Sequence, residues 1–568
     1  MISSKRLWVV IVIFLCGMTA LLLRLGYLQL ILHDELTEKA DSQQIKTMSL
    51  NQNSRGKIFD RNGETITNHE ETPSLMIFPS LVKDAQKVAN QLEQVLFLDG
   101  DSLSKKIEGR GDDGTSIRYL PFVAKSNLTL EEVEKIRSLE EPGIFIVGQI
   151  GRYRSDLPAI HLLGELGTAT EEDILSEKFS SQVKEGDLVG LSGLERIYDS
   201  ILQGQGGETI GVLVDDKNRP IYEDEYYVIH QEAASSGSVK MTLDLEIQQA
   251  VESALSEVEG AAVILDAQNG DVLAMASSPK YDPNHVTPLA SDDAYMNKAL
   301  NAFPPASLFK IFLAAVALED GVMQKESLCY CDGIYHLENG KEVHCWKEEG
   351  HGLMLFEDAL SLSCNPVFIT VGKKIGVKSI RESFGEWGLD KDSLIGYPLE
   401  HRSEIETQGQ TEGDIANLSL GESGILMTPL NLAKMINVIA SGGFLMEPRL
   451  IMETDSGKNE PPKTYPCSYP VRVIKASTAS AVKDMMKKTF QSGTGKSLNL
   501  QNLNMAGKTG TSETGNVWIG GFFPAENPRY TIVILVENGS SGVGDGGPIL
   551  KKICAYLNGR IVENKDSL

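Results

Sequence analysis

The sequence predicts an anchored α+β protein, and three observations carry that prediction. Leu7 to Leu23, LWVVIVIFLCGMTALLL, is an uncharged apolar run able to cross a bilayer. Ala306 to Leu318 is apolar all the way round, the pattern of a helix buried on every side, with Ser307 and Lys310 as its two polar exceptions. Towards the carboxyl end, Met505 to Ser512, Trp518 to Phe523 and Tyr530 to Val536 read as strands. Helices and mostly antiparallel strands segregated in this way make an α+β domain.

Taken in order, Lys5 and Arg6 precede the apolar run, and Arg24 and a second apolar stretch, Leu28 to Leu32, follow it. No small-x-small cleavage site follows, so the segment reads as an uncleaved signal anchor: residues 1–6 cytoplasmic, 7–32 transmembrane, the remainder outside the cell membrane. Residues 33–228 form a first extracytoplasmic domain. Within it Arg55 to Glu64, RGKIFDRNGE, is a strand leading into an Asn-Gly turn, and Thr129 with Glu132 is a capping box. Gly190 to Gly207 has Leu194, Ile197, Tyr198 and Ile201 at helical spacing, which reads mostly as packing.

An Ala-Ala-Ser-Ser-Gly-Ser stretch marks residues 229–240 as a linker, and 241–568 as the last domain. Thr242 to Val258 has helical spacing. Ala261 to Asp266 and Val272 to Ala276 flank an Asn269-Gly270 turn as a hairpin. Thr428-Pro429 starts a helix that Gly442-Gly443 stops. Ala476 to Thr489 and Ile549 to Leu557 are further helices. At 568 residues the chain is long enough for several cores, and its net charge of -25 with no basic patch excludes a nucleic-acid partner.

Six of the seven cysteines lie beyond the anchor, where disulfides are permitted. Cys329, Cys331, His336, His344, Cys345 and His351 crowd together without C-x-x-C or H-x-x-x-H spacing. A loop disulfide, Cys331 with Cys345, is therefore favoured over a metal, and neither metal nor cofactor is expected.

The chemistry centres on Ser307 and Lys310, which share a helix face three residues apart. Burial lowers a lysine's pKa, and a neutral amine can take a serine hydroxyl's proton. Backbone N–H groups at the helix start favour negative charge developing at an attacked carbonyl. An S-x-x-K pattern alone is weak, because Ser54, Ser102, Ser277 and Ser480 each begin one too.

Two later motifs make it specific. Ser363-Cys364-Asn365 and Lys508-Thr509-Gly510-Thr511 follow in the order S-x-x-K, S-x-N, K-T-G, the signature of penicillin-binding proteins and class A β-lactamases. The amino-terminal stretches RGKIFDRNGE, Arg152 to Gly164 and GLSGLERIYDSILQGQGG, with TLDLEIQ, AAVILDAQNGDVLAMAS and SLGESGILMTPLNLA, extend the likeness over almost the whole chain. The sequence resembles the class B penicillin-binding proteins. That resemblance implies an elongated mixed α/β pedestal (the dimerisation-type domain) holding a serine β-lactamase-like transpeptidase domain, an antiparallel sheet flanked by helices, away from the bilayer.

It further implies a DD-transpeptidase that cross-links peptidoglycan stem peptides and is acylated by β-lactam antibiotics. Ser307 would attack the D-Ala-D-Ala carbonyl with Lys310 as base, Ser363 would relay the proton, and Asn365 would bond the donor backbone. Lys508 would supply positive potential and, with Gly510 in the same motif, Thr509 and Thr511 would bind substrate. The oxyanion hole would be the backbone N–H groups of Ser307 and Thr511. The partner expected is a membrane glycan polymerase of the shape or division type. Ala306 and Leu308 stand where the family usually has glycine and threonine, a departure expected to bear on substrate fit. Competing readings are a carboxypeptidase, a β-lactamase, whose class A form needs an E-x-x-L-N motif that is not present between Asn365 and Lys508, and a penicillin-binding sensor or scaffold.

Overall fold

The computed structural model describes residues 4–30, 45–49, 55–68, 71–108, 122–169, 183, 188–203, 208–213, 227–230, 236–283 and 292–566, isolated positions and short runs within these ranges excepted. The expected linker at 229–240, the end of the Leu28 to Leu32 stretch and the glycines closing Gly190 to Gly207 lie partly outside the described residues. The chain divides into two units that do not follow chain order: 1–54, 69–152 and 204–234 in the first, and 55–68, 153–203 and 235–568 in the second.

In the first unit a continuous helix, Ser4–Leu30, contains the apolar run. Among the described residues, however, no helix is long and apolar enough to cross a membrane. An antiparallel sheet in the order Phe122–Lys125, Glu71–Ile77, Ile144–Ile150 meets helices Ala85–Leu96 and Leu130–Arg137. Leu75, Ile77, Val88, Leu92, Val133 and Ile136 form its core. The capping box at Thr129 and Glu132 is present on both arms.

The second unit is built on five antiparallel strands in the order Val272–Ser278, Gly260–Asp266, Tyr530–Val536, Val517–Phe523, Ala506–Thr511. Strands buried on both faces read as unbroken apolar runs, and YTIVILV is one. Its alternate side chains part cleanly. Ile532 and Ile534 join a core with helices Leu245–Leu255 and Gly547–Asp566, while Val533 and Leu535 face the larger core around Phe309–Glu319 and Pro429–Ala440.

Helix Phe309–Glu319 buries nine of its eleven side chains, as its all-round apolarity requires. A single 3-10 turn, Ala306–Leu308, leads into it, so Ser307 stands just ahead of the α-helix. Helix Pro429–Ala440 begins as the sequence suggests, with Thr428 Oγ1 accepting from Asn431 N at 3.0 Å. The Gly190 stretch instead forms two short helices, Gly193–Ile197 and Asp199–Leu202, broken at Tyr198.

That stretch also carries buried charge where the sequence suggested packing. Arg55 donates to Glu195 Oε2 at 2.6 Å and to Asp199 Oδ1 at 2.8 Å, with all three side chains withdrawn from water. Strand Lys57–Phe59 pairs in parallel with Ser238–Met241, so the Arg55 segment is woven into the second unit.

Candidate active site

The three motifs converge on one cleft of about 800 Å³, whose wall includes Ser307, Ser363, Asn365, Thr509, Gly510 and Thr511. Strand Ala506–Thr511 is the sheet edge nearest the nucleophile. A Cβ on Gly510 would sit 3.1 Å from the Ser307 backbone nitrogen, a tight contact that glycine at this position relieves. The approach to Ser307 is fixed from behind: Trp518 Nε1 donates to Pro304 O at 2.9 Å, and Ala306 N donates to Gly421 O at 2.8 Å.

Two residues of the site lie in the left-handed region that L-residues avoid, Ala306 at φ 48° and Ser363 at φ 54°. Each such residue costs on the order of 1–2 kcal/mol and persists only where its surroundings over-determine it. The structure thus gives Ala306 a second meaning, because its backbone lies in a conformation suited to glycine.

Lys310 is fully buried, and its Nζ donates to Asn365 Oδ1 at 2.7 Å and to Ser363 O at 3.1 Å. The Phe368 ring lies 5.6 Å from the same ammonium position. Burial is the main reason its pKa falls, to about 8. Lys508, equally buried, donates to Ser363 Oγ at 2.9 Å and to Thr509 O at 2.6 Å. Desolvation, followed by the neighbouring Lys310 charge, pushes its pKa well down. Ser363 is therefore gripped by both lysines, one at its carbonyl and one at its hydroxyl. Thr509 Oγ1 and Thr494 Oγ1 lie 2.9 Å apart, and Thr511 Oγ1 accepts from Gly542 N at 3.3 Å. Thr494 and Gly542 came from outside every motif, and only their position in the fold brings them in.

The penicillin binding protein transpeptidase domain matches residues 260–555, and the penicillin-binding protein dimerisation domain matches residues 51–234. The chain belongs to the penicillin-binding protein transpeptidase family. Among relatives of this penicillin-binding protein, the peptidoglycan D,D-transpeptidase MrdA of Haemophilus influenzae is 26% identical, over 94% of this chain and 88% of that protein. Among solved structures, penicillin-binding protein PBP2 of Helicobacter pylori is 22% identical, with TM-score 0.70 over 90% of this chain and 99% of the other. A chain from a peptidoglycan synthase complex that coordinates polymerization and crosslinking is 21% identical, with TM-score 0.65 over 97% of this chain and 98% of the other.

The cysteines of this penicillin-binding protein depart from the sequence expectation. Cys331 and Cys345 are free thiols rather than a disulfide. With His351 and Cys364 they bring four ligand atoms within 4.8 Å of one another, a soft donor set that suits a tetrahedral zinc ion. Sequence spacing concealed this because the four come from two hairpins and the second motif. The same loop supports the site: Asn365 Nδ2 donates to His344 O at 3.1 Å, and Trp346 Nε1 donates to Leu362 O at 2.8 Å.

Proposed function

We infer that this class B penicillin-binding protein is a peptidoglycan D,D-transpeptidase working through a serine acyl-enzyme. The carrying observation is a buried amine of lowered pKa, Lys310, one helix turn from Ser307 and bonded into the Ser363-Cys364-Asn365 motif. In this reading Lys310 takes the Ser307 proton as Oγ attacks the penultimate carbonyl of a D-Ala-D-Ala stem peptide. The tetrahedral oxyanion rests on the backbone N–H groups of Ser307 and Thr511, which the closeness of Gly510 to Ser307 favours.

Ser363 passes the proton to the departing D-Ala nitrogen, with its hydroxyl held by Lys508. The lowered pKa of Lys508 suits a group that shares in this relay besides supplying positive potential. Asn365 orients both Lys310 and the donor backbone, and Thr509 meets the substrate carboxylate beside Thr494. β-Lactams acylate the same Ser307.

We place the pedestal at 33–228 and the transpeptidase domain at 241–568, with segments 55–68 and 153–203 packed into the catalytic unit. We read Ser4–Leu30 as the single-pass anchor from the uncharged run Leu7 to Leu23, its flanking Lys5, Arg6 and Arg24, and the exposed apolar side chains Phe14, Leu21, Leu22 and Leu23. The bulk of the chain then lies outside the cell membrane. A membrane glycan polymerase is the expected partner, a reading supported by the likeness to a chain of a peptidoglycan synthase complex.

The test is intact-mass analysis with a labelled penicillin. The label should sit on Ser307, vanish in Ser307→Ala and Lys310→Ala, and persist for many minutes. On a D-Ala-D-Ala donor, transfer to an amine should dominate when acceptor is supplied. Labelling of a folded Ser307→Ala protein, or hydrolysis alone at high acceptor concentration, would overturn the assignment.

A further inference from the structure

The acyl-enzyme is only half of a transfer, and the residues described so far all act on the donor. The acceptor is an amine, and in water at neutral pH an alkylamine is an ammonium with a pKa of about 10, holding no lone pair with which to attack. Lys310 and Lys508 are themselves amines, both engaged with Ser363. Binding and discharging a cationic acceptor calls for a carboxylate.

One carboxylate is built into the cleft. Helix Glu412–Leu420 ends on Gly421, in the left-handed conformation at φ 75°. Gly421 O accepts from Ala306 N at 2.8 Å, and a Cβ on Gly421 would lie 2.1 Å from Ala306 O. This turn is therefore locked to the residue before the nucleophile. Glu422 follows immediately, its N–H donating to Asn417 O at 3.0 Å. Its side chain crosses to the other wall, where Oε2 accepts from the Glu513 backbone N–H at 3.0 Å, just past Lys508-Thr509-Gly510-Thr511.

Glu422 thus spans the two elements that frame Ser307 and lines the same cleft. Desolvation raises its pKa, the hydrogen bond from the Glu513 N–H opposes this, the Glu513 charge adds to it and Lys310 opposes it; the net rise makes the carboxylate a stronger base than a surface glutamate. The other two cleft carboxylates are placed differently. Glu513 is exposed, and Glu342 is half-exposed and turned to His336 and His344.

We propose that Glu422 binds the ammonium of the acceptor amine and removes the proton that prevents it from attacking the acyl-enzyme. The inference rests on the transpeptidase reading. The acceptor R–NH3+ transfers one proton to the Glu422 carboxylate. The freed lone pair forms the N–C bond to the acyl carbonyl carbon, and the Ser307 C–O bond breaks as the tetrahedral intermediate collapses. The second nitrogen proton returns to Ser307 Oγ through Lys310, and Glu422 releases its proton to solvent. No electron changes hands outside these bonds, and the products are an amide and the free enzyme.

Glu422→Gln tests this, since the amide oxygen can still accept from Glu513 N–H. With a D-Ala-D-Ala peptide donor, transfer is measured to isotopically labelled D-alanine, an ammonium whose exchange into the donor is read by mass, and to hydroxylamine, which is neutral at the assay pH. Labelled penicillin reports whether Ser307 and Lys310 stay assembled. The expected result is a drop of about 100-fold in kcat/KM for D-alanine, the usual range for loss of a general base, with hydroxylamine transfer and penicillin acylation within about twofold of wild type. Glu422→Asp should recover part of the D-alanine rate. Equal loss for both acceptors, no loss for either, or loss of penicillin acylation would overturn the proposal. Wild-type enzyme that passes its acyl group to neither acceptor would refute the transpeptidase reading itself.

Discussion

Replacing Arg55 with leucine should destabilise the catalytic unit by about 4 kcal/mol, although Arg55 is in none of the three catalytic motifs. Its Nε meets Glu195 Oε2 at 2.6 Å and its Nη2 meets Asp199 Oδ1 at 2.8 Å, with exposures of 3%, 0% and 9% for the three side chains. Removing one partner of a buried ion pair typically costs about 3–5 kcal/mol, because the other charge stays buried without compensation. Asp199 keeps a hydrogen bond from Gly190 N at 2.9 Å, which moderates its share. Against a typical domain stability of about 5–15 kcal/mol this is a large fraction. With a urea slope of about 3 kcal/mol per molar, the midpoint should fall by about 1.3 M. Buried Trp387 and Trp518 provide the fluorescence signal from this unit. Adding Glu195→Gln and Asp199→Asn to Arg55→Leu should restore part of the loss. A midpoint for Arg55→Leu within about 0.3 M of wild type would refute the reasoning.

Three further predictions concern the site. Acylation by penicillin needs Lys310 as the neutral amine, so its rate should rise with pH and level off above about 8; at pH 6 it should be about 100-fold below the plateau, and a flat stopped-flow profile from 6 to 9 would count against Lys310 as base. Gly421→Ala places a Cβ against Ala306 O in a left-handed backbone and should slow acylation about 100-fold, equivalent to about 2.7 kcal/mol, with the far-UV circular dichroism unchanged. Ala306→Gly should change stability by less than about 1 kcal/mol. Relief of about 1–2 kcal/mol of left-handed strain is offset by a lost buried methyl, about 0.8, and by added chain entropy, about 0.4–1, whereas Ala306→Val should lose both stability and acylation in thermal melts and gel labelling.

The sheet and its helices were legible because their burial is written in period. YTIVILV had the length of a strand and proved to be one covered on both faces, and the Ala306 to Leu318 run read as an enclosed helix. The order of three short motifs carried Ser307, Lys310, Ser363, Asn365 and Lys508 to one cleft. What sequence reading missed depends on contacts between distant segments. Glu195 sits at helical spacing among apolar residues, and nothing local shows that Arg55 reaches it across 140 positions. Glu422 resembles any glutamate in a glycine turn until Glu513 is seen beside it. Cys331, Cys345 and His351 were already grouped in the sequence, but that Cys364 of the second motif joins them is seen only in the fold.

The interleaved make-up of the catalytic unit also constrains its assembly. Strand Lys57–Phe59 pairs with Ser238–Met241, about 180 residues later, and Ile58, Leu162 and Leu194 belong to the same core as Phe309 and Phe312. Synthesis at roughly 5–20 residues per second separates the two strands by about 10–40 s. Residues 55–68 and 153–203 therefore wait with their apolar side chains uncovered until the chain beyond 235 has been made. Any fragment that stops short of 235 would keep them permanently without a core, which makes such fragments prone to aggregate.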